Sequence, residues 1–92
     1  MAQPENPRVI VSSETSGIAV DDVVKALLKR LQQKGNSSYA SNHEALGVIT
    51  EEYFEYVDAV KNNDNQHVYE ELVDIAVGCI FAVASMRAKK LL

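Results

Sequence analysis

The segment from Leu72 to Met86 constrains the fold most strongly, because it is apolar on nearly every face of a helix. Its longest apolar stretch, from Ile75 to Ser85 and interrupted only by Gly78, is far shorter than the ~20 residues of a membrane span. We therefore predict a central helix that is buried from more than one side. Because a chain of 92 residues offers little else to cover such a helix, we also expect a homodimer or homotetramer.

The N-terminal part of the chain is predicted to be an arm followed by a helix. Residues 1–17 hold both prolines and a short β-favouring stretch, so we expect an extended or flexible arm there. From residue 20 the apolar side chains recur with helical spacing, which predicts a helix that begins with Asp21 as its N-cap and ends at Gly35. Arm and helix belong to a single domain, residues 1–92, because the chain is too short for two.

Two more helices follow in the second half of the chain. Ser41 and Glu44 have the spacing of a capping box, so the second helix is predicted to start there and to run up to the turn-rich residues 62–65. The third helix is predicted from about Gln66 to about Lys90. The expected fold is all-α: a helical hairpin plus one further helix, completing a four-helix-bundle-like core by oligomerisation.

Charge and cysteine content narrow the classes of function. Thirteen acidic against nine basic residues give a formal net charge of -4, which disfavours binding to nucleic acid and to an anionic membrane. The single cysteine, Cys79, has no partner for an internal disulfide and is predicted to be a core thiol. The first residues lack the basic and apolar pattern of a targeting segment, so we expect a cytoplasmic protein.

Four acidic residues form two pairs with a spacing of three, Glu52 with Glu55 and Glu71 with Asp74. Each pair projects from one side of its helix. The first pair shares a helical stripe with small apolar residues, and this stripe is distinct from the predicted core stripe of the second helix, which comprises Leu46, Ile49, Tyr53, Val57 and Val60. The second pair likewise shares its stripe with small residues.

The two acidic pairs are predicted to lie level with each other in the hairpin. Counted from the turn near Asp64, their midpoints differ by roughly 3 Å along the helix axis. Four carboxylates that converge in this way repel one another unless a hard cation neutralises them, and an all-oxygen ligand set favours Mg²⁺, with Mn²⁺ as a substitute. The alternative is that all four are ordinary solvated acids on helix surfaces.

The acidic residues also resemble the signature of a known family. The first motif, Glu-Glu-x-x-Glu, is formed by Glu51, Glu52 and Glu55, and the second, Glu-x-x-Asp, by Glu71 and Asp74. Together they resemble the signature of the MazG-like superfamily of all-α nucleoside triphosphate pyrophosphohydrolases. The spacing between the two motifs falls within the usual range of that family. The resemblance covers about residues 41–86.

This resemblance implies a reaction and roles for individual residues. Glu52, Glu55, Glu71 and Asp74 are expected to hold Mg²⁺, and the products are expected to be a nucleoside monophosphate and pyrophosphate. Glu51 and Glu52 are the expected catalytic residues, with Glu51 binding a second metal ion or orienting the attacking water. Weaker candidates for substrate binding are His43, Lys61 and Phe54, the last by stacking on the base, a role for which Tyr39 is also a candidate.

One alternative function stays open at this point. A noncatalytic helical interaction or nucleotide-binding module with the same fold is favoured by the lack of tryptophan, which often stacks the base in this superfamily. The basic residues Lys29, Arg30 and Lys61 could meet phosphates, although such residues usually form a solvated helix face. A di-iron bundle is disfavoured because no Glu-x-x-His motif occurs.

Overall fold

A computed structural model describes residues 8–92 and shows three helices. Helix α1 spans Ser13–Lys34, α2 spans Asn42–Lys61 and α3 spans Asn65–Ala88. No strand is present between residues 8 and 92, so the prediction of an all-α fold is confirmed. Within this part of the chain, no helix combines the length and the apolar character that crossing a bilayer requires.

Helix α1 begins earlier than its predicted start at Asp21. Ser12 is the N-cap, and its hydroxyl accepts a hydrogen bond of 3.0 Å from the backbone N–H of Thr15. Residues 13–17, which we had assigned to an extended arm, are therefore the first turns of the helix, whereas residues 1–7 lie outside the described part. The cap at Ser12 and the acidic Glu14 in the first turn outweigh the helix-disfavouring Gly17.

Replacing Gly17 by alanine is expected to stabilise the protein. A Cβ added to Gly17 meets no atom within 4 Å, and alanine lowers the conformational entropy of the unfolded chain, so the gain is about 0.4 to 1 kcal/mol. For a domain of this size, the melting temperature should rise by roughly 2 to 8 °C. Gly35→Ala is the matched control and should lower it, because Gly35 has a φ of 82°. A lower melting temperature for Gly17→Ala would show that α1 does not begin at Ser13 in solution.

Local side-chain caps define the starts of α2 and α3. The Ser41 hydroxyl accepts from the Glu44 N–H at 3.1 Å, and the Glu44 carboxylate accepts from the Ala40 N–H at 2.6 Å. The predicted capping box is thus present, with its return bond one residue before Ser41. At the start of α3 the Asp64 carboxylate accepts from the His67 N–H at 3.1 Å.

Helix α3 is central, as predicted, because it contacts both α1 and α2. The core includes Tyr39, from the connection between α1 and α2, which packs edge-to-face on Phe81 with ring centroids 5.1 Å apart. The backbone N–H of Tyr39 donates to the Ser85 hydroxyl at 3.0 Å, which fixes the connection to α3. Tyr39 is therefore a core residue, although we had considered it for base stacking.

The face of α2 that packs against α3 is not the one predicted from its apolar stripe. Ala45 and Ala59 are the buried residues of α2, while Leu46 is 62% exposed and Tyr53 is 52% exposed. The small side chains of Ala45 and Ala59 are the ones that α2 buries, and Ile49 of the predicted stripe also contacts α3, since a Cβ on Gly78 would lie 3.4 Å from its side chain. The acidic stripe of α2 thus faces α3, whereas the larger apolar stripe is only partly covered, with Ile49 and Val57 half-buried and its other three residues exposed.

Cys79 was predicted to be a core thiol and is exposed instead. It lies on an apolar surface of α3 with Ile80, Val83 and Ala84, and this surface points away from α1 and α2. Helix α3 is apolar on nearly every side, but α1 and α2 cover only part of its surface. Neighbouring large apolar side chains on α2 and α3 also remain exposed in the single chain.

Candidate functional site

The antiparallel pairing of α2 and α3 brings three of the four predicted metal ligands together. One carboxylate oxygen from each of Glu52, Glu55 and Glu71 lies within 4.8 Å of the other two. Asp74 lies beside this group, one helical turn after Glu71, and its charge acts on both glutamates of α2. The level placement of the two acidic pairs that the sequence indicated is therefore present in the structure.

Two oxygens of this acidic cluster are buried without a hydrogen-bond partner. They are Oε2 of Glu52 and Oε1 of Glu71, whose side chain belongs to a residue that is only 5% exposed. A buried carboxylate oxygen left unpaired costs on the order of 1 to 3 kcal/mol or more, so such atoms normally have a partner. A hard divalent cation with oxygen ligands fits this arrangement, because it pairs with both oxygens and offsets their repulsion.

The pKa shifts in the cluster reflect its burial and its excess of negative charge. The pKa of Glu52 is raised to about 7, first by burial and then by the neighbouring carboxyl groups of Glu71, Asp74 and Glu55. The charge of Glu71 is the largest cause of the raised pKa of Glu55. Burial also raises the pKa of Asp74, and Lys34 of α1 acts in the opposite direction.

The raised pKa of Glu52 predicts that the metal-free protein loses stability as the pH rises. The folded state binds a proton at Glu52 more tightly than the unfolded chain does. The contribution of Glu52 to the free energy of unfolding is therefore largest below pH 4.5 and decreases as the pH rises to about 7. Thermal melts in chelator across this range test the prediction. The reference is Glu52→Gln, which removes this titrating carboxyl group and should reduce the dependence of stability on pH. A wild-type melting temperature that rises relative to Glu52→Gln with pH would contradict it.

His67 adds a contact to the cluster that the sequence analysis did not assign. Its Nε2 atom lies 3.0 Å from Oε2 of Glu71, one helical turn further along α3. His67 also lies in the first turn of α3, where its backbone N–H donates to the cap residue Asp64. The spacing of four between His67 and Glu71 was the available signal. The contact holds the second oxygen of Glu71 and leaves Oε1 for another partner.

The remaining predicted site residues lie on the exposed surface. Glu51 is next to the cluster, and its charge contributes to the raised pKa of Glu55. His43, Phe54 and Lys61 are exposed, and none of them lines the groove described below. Within one chain the structure does not bring these three residues to the acids, and their role in substrate binding stays a prediction.

A groove of about 440 Å³ lies next to the acidic cluster, between α1 and α2 and over α3. Its volume is within the range of small-molecule sites. Glu52 and Asp74 line one part of it, and Val77 and Gly78 form its floor. The α1 side carries five residues in helical register, namely Ala26, Lys29, Arg30, Gln33 and Lys34. Of these, Gln33 and Lys34 were not singled out from the sequence, although their spacing from Lys29 and Arg30 was visible.

Comparison with known proteins agrees with the geometry. Residues 40–90 match the model of the MazG nucleotide pyrophosphohydrolase domain, and this segment contains α2, α3 and all the acids of the cluster. Neither the curated proteins nor the solved structures include a match to this chain. The match covers more than half of the 92 residues and confirms the family that the acidic motifs indicated. The chain belongs to the MazG nucleotide pyrophosphohydrolase domain family.

Proposed function

We propose that this protein is a Mg²⁺-dependent hydrolase that converts nucleoside or deoxynucleoside triphosphates to the monophosphate and pyrophosphate. The observation that carries the proposal is the meeting of Glu52, Glu55 and Glu71 within 4.8 Å, with two buried oxygens unpaired, in a segment that matches the family. A structural role alone gives no reason to collect carboxylates at a position where each raises the pKa of the others.

Glu52, Glu55, Glu71 and Asp74 are the residues that would hold Mg²⁺, with Mn²⁺ as a substitute. Their oxygen atoms suit a small hard cation, and no cysteine or second histidine lies in the described cluster to favour a softer one. Bound Mg²⁺ would polarise phosphoryl oxygens and lower the pKa of water.

Residues of the chain would position the substrate and the attacking water. The groove beside Glu52 and Asp74 offers room for a nucleotide, and Gly78 in its floor carries no side chain. Glu51 lies at the exposed edge of the cluster, where its carboxylate is free to accept a proton from the attacking water or to orient it. His67 keeps the carboxylate of Glu71 in place.

A homodimer or homotetramer is the expected state in solution. Leu46, Tyr53, Ile80 and Val83 are all exposed in the single chain, on two helices that also form the site. Apolar surfaces of this extent are normally covered. Light scattering at micromolar concentration should give a mass that is two or four times 10.1 kDa. A particle with the mass of one chain would contradict the prediction.

A panel of nucleotides with Mg²⁺ and a pyrophosphate readout tests the proposed reaction. At least one triphosphate should give Mg²⁺-dependent pyrophosphate, and chelator should stop the reaction. If no triphosphate is hydrolysed while nucleotide still binds, the noncatalytic nucleotide-binding module is the correct alternative.

A further inference from the structure

The wall of the groove opposite the acids is basic, which is unexpected for a chain of net charge -4. Lys29, Arg30 and Lys34 account for three of the nine lysines and arginines, and all three line this groove from α1. The amide of Gln33 lies between them along the same helix face. A cavity therefore has carboxylates on one side and cations on the other.

The three basic residues differ in how they are held. The guanidinium of Arg30 lies over the ring of Phe81, 4.0 Å from its centroid, so it is held by the core. Lys29 and Lys34 are exposed, and neither forms a salt bridge with any residue between 8 and 92. Both lysines line the same groove as Glu52 and Asp74. Their ammonium groups are free to meet an anion in the groove.

We propose that Lys29 and Lys34 bind the phosphate groups of the nucleotide and select polyphosphate over monophosphate. This inference rests on the proposed function, since the acidic cluster defines where the phosphates lie. Carboxylates and a triphosphate repel each other, so positive charge beside the acidic cluster favours binding of the phosphates in this groove. The α1 wall is the source of that charge within the groove, and α1 lies outside the matched residues 40–90.

A simpler role for Lys34 is to compensate the charge of Asp74. The two roles predict opposite results when the charge of Lys34 is removed. If Lys34 only compensates Asp74, Lys34→Met strengthens the binding of Mn²⁺ alone and leaves nucleotide binding unchanged or tighter. If Lys34 binds phosphate, the same substitution leaves Mn²⁺ binding unchanged or tighter but weakens the binding of a triphosphate.

Calorimetry on the full chain separates these roles. The probes are Mn²⁺ alone, a nonhydrolysable triphosphate analogue with Mg²⁺, and the corresponding monophosphate with Mg²⁺. Lys29→Met and Lys34→Met should each weaken the triphosphate analogue about tenfold, the loss expected for one charge-assisted hydrogen bond, with a much smaller effect on the monophosphate. Lys34→Arg should restore most of the affinity. The control is Lys25→Met, because Lys25 is exposed on α1 and does not line the groove.

The outcome is independent of whether the protein turns over substrate. Lysine-dependent binding of the analogue without pyrophosphate release would support this inference and refute the proposed function. Normal pyrophosphate release together with unchanged analogue binding in both lysine variants would refute the inference alone. Equal losses in the lysine variants and in Lys25→Met would also overturn it, since the effect would then be one of overall charge.

Discussion

Glu52→Gln is expected to lower the rate of pyrophosphate release by at least ~100-fold. Glu52 lies in the acidic cluster and also lines the groove, so it connects the proposed metal site with the space for substrate. Glutamine keeps the shape of the side chain but removes its charge, and the loss of a ligand that helps stabilise developing phosphoryl charge has an effect of this order. Steady-state kinetics at saturating Mg²⁺ measure it.

Unfolding should not account for this loss of rate. The pKa of Glu52 is raised to about 7, which means that its charged form is unfavourable in the metal-free fold, so the neutral glutamine should be tolerated. The matched control is Asp58→Asn, an equal change of charge at an exposed position of the same helix, which should retain near-normal activity. A Glu52→Gln protein with normal turnover would refute the catalytic site.

Mg²⁺ is expected to raise the melting temperature of the wild-type protein, and Glu71→Gln should abolish that rise. At a hundredfold excess over its dissociation constant, a ligand that binds only the folded state stabilises it by about 2.7 kcal/mol. For a domain of this size that corresponds to about 10 °C or more. Glu71 is the most buried ligand candidate and contributes an unpaired oxygen, so the effect of its loss should be the largest.

The control for this experiment lies next to Glu71 on the same helix. Glu70 is exposed and outside the acidic cluster, so Glu70→Gln should keep the response to Mg²⁺. Protein concentration must be the same in all melts, because an oligomer melts at a concentration-dependent temperature. An equal rise in wild type and in Glu71→Gln would mean that Mg²⁺ binds elsewhere, and no rise at millimolar Mg²⁺ in wild type would remove the proposed site.

Local signals in the sequence were sufficient for the helical hairpin. Ser41 with Glu44 and Asp64 with the following turn determine where α2 and α3 start, through hydrogen bonds that span three or four residues. The acidic pairs are brought level by the length of the connection and the helical rise, both of which are properties of the sequence. For this reason the meeting of Glu52, Glu55 and Glu71 could be predicted without a tertiary structure.

The packing of the helices against one another was harder to predict from the sequence, because more than one face of a helix can form the contact. Helix α2 has a stripe of large apolar residues and a stripe with Ala45 and Ala59, and the second stripe contains the buried residues of the helix. Periodicity ranks the larger stripe first, which led to the wrong core face. The start of α1 was also misplaced, because the apolar periodicity begins near Asp21 whereas the observed cap is Ser12.

The basic side of the groove could not be predicted from local sequence patterns. Lys29 and Lys34 have the spacing of an ordinary solvated helix face, and only the packing of α1 on α3 places them across from Glu52 and Asp74. The exposure of the apolar surface at Cys79 could not be predicted in this way either, because it depends on how α1 and α2 pack on α3.

The most direct test of the account is to identify the products by phosphorus NMR after incubation of a triphosphate with the protein and Mg²⁺. We expect one monophosphate and one pyrophosphate for each triphosphate consumed, with no orthophosphate formed at the same rate and a rate at least ~100-fold lower in Glu52→Gln. Formation of a diphosphate and orthophosphate would contradict it, as would the absence of any hydrolysis with a protein that binds both Mg²⁺ and nucleotide.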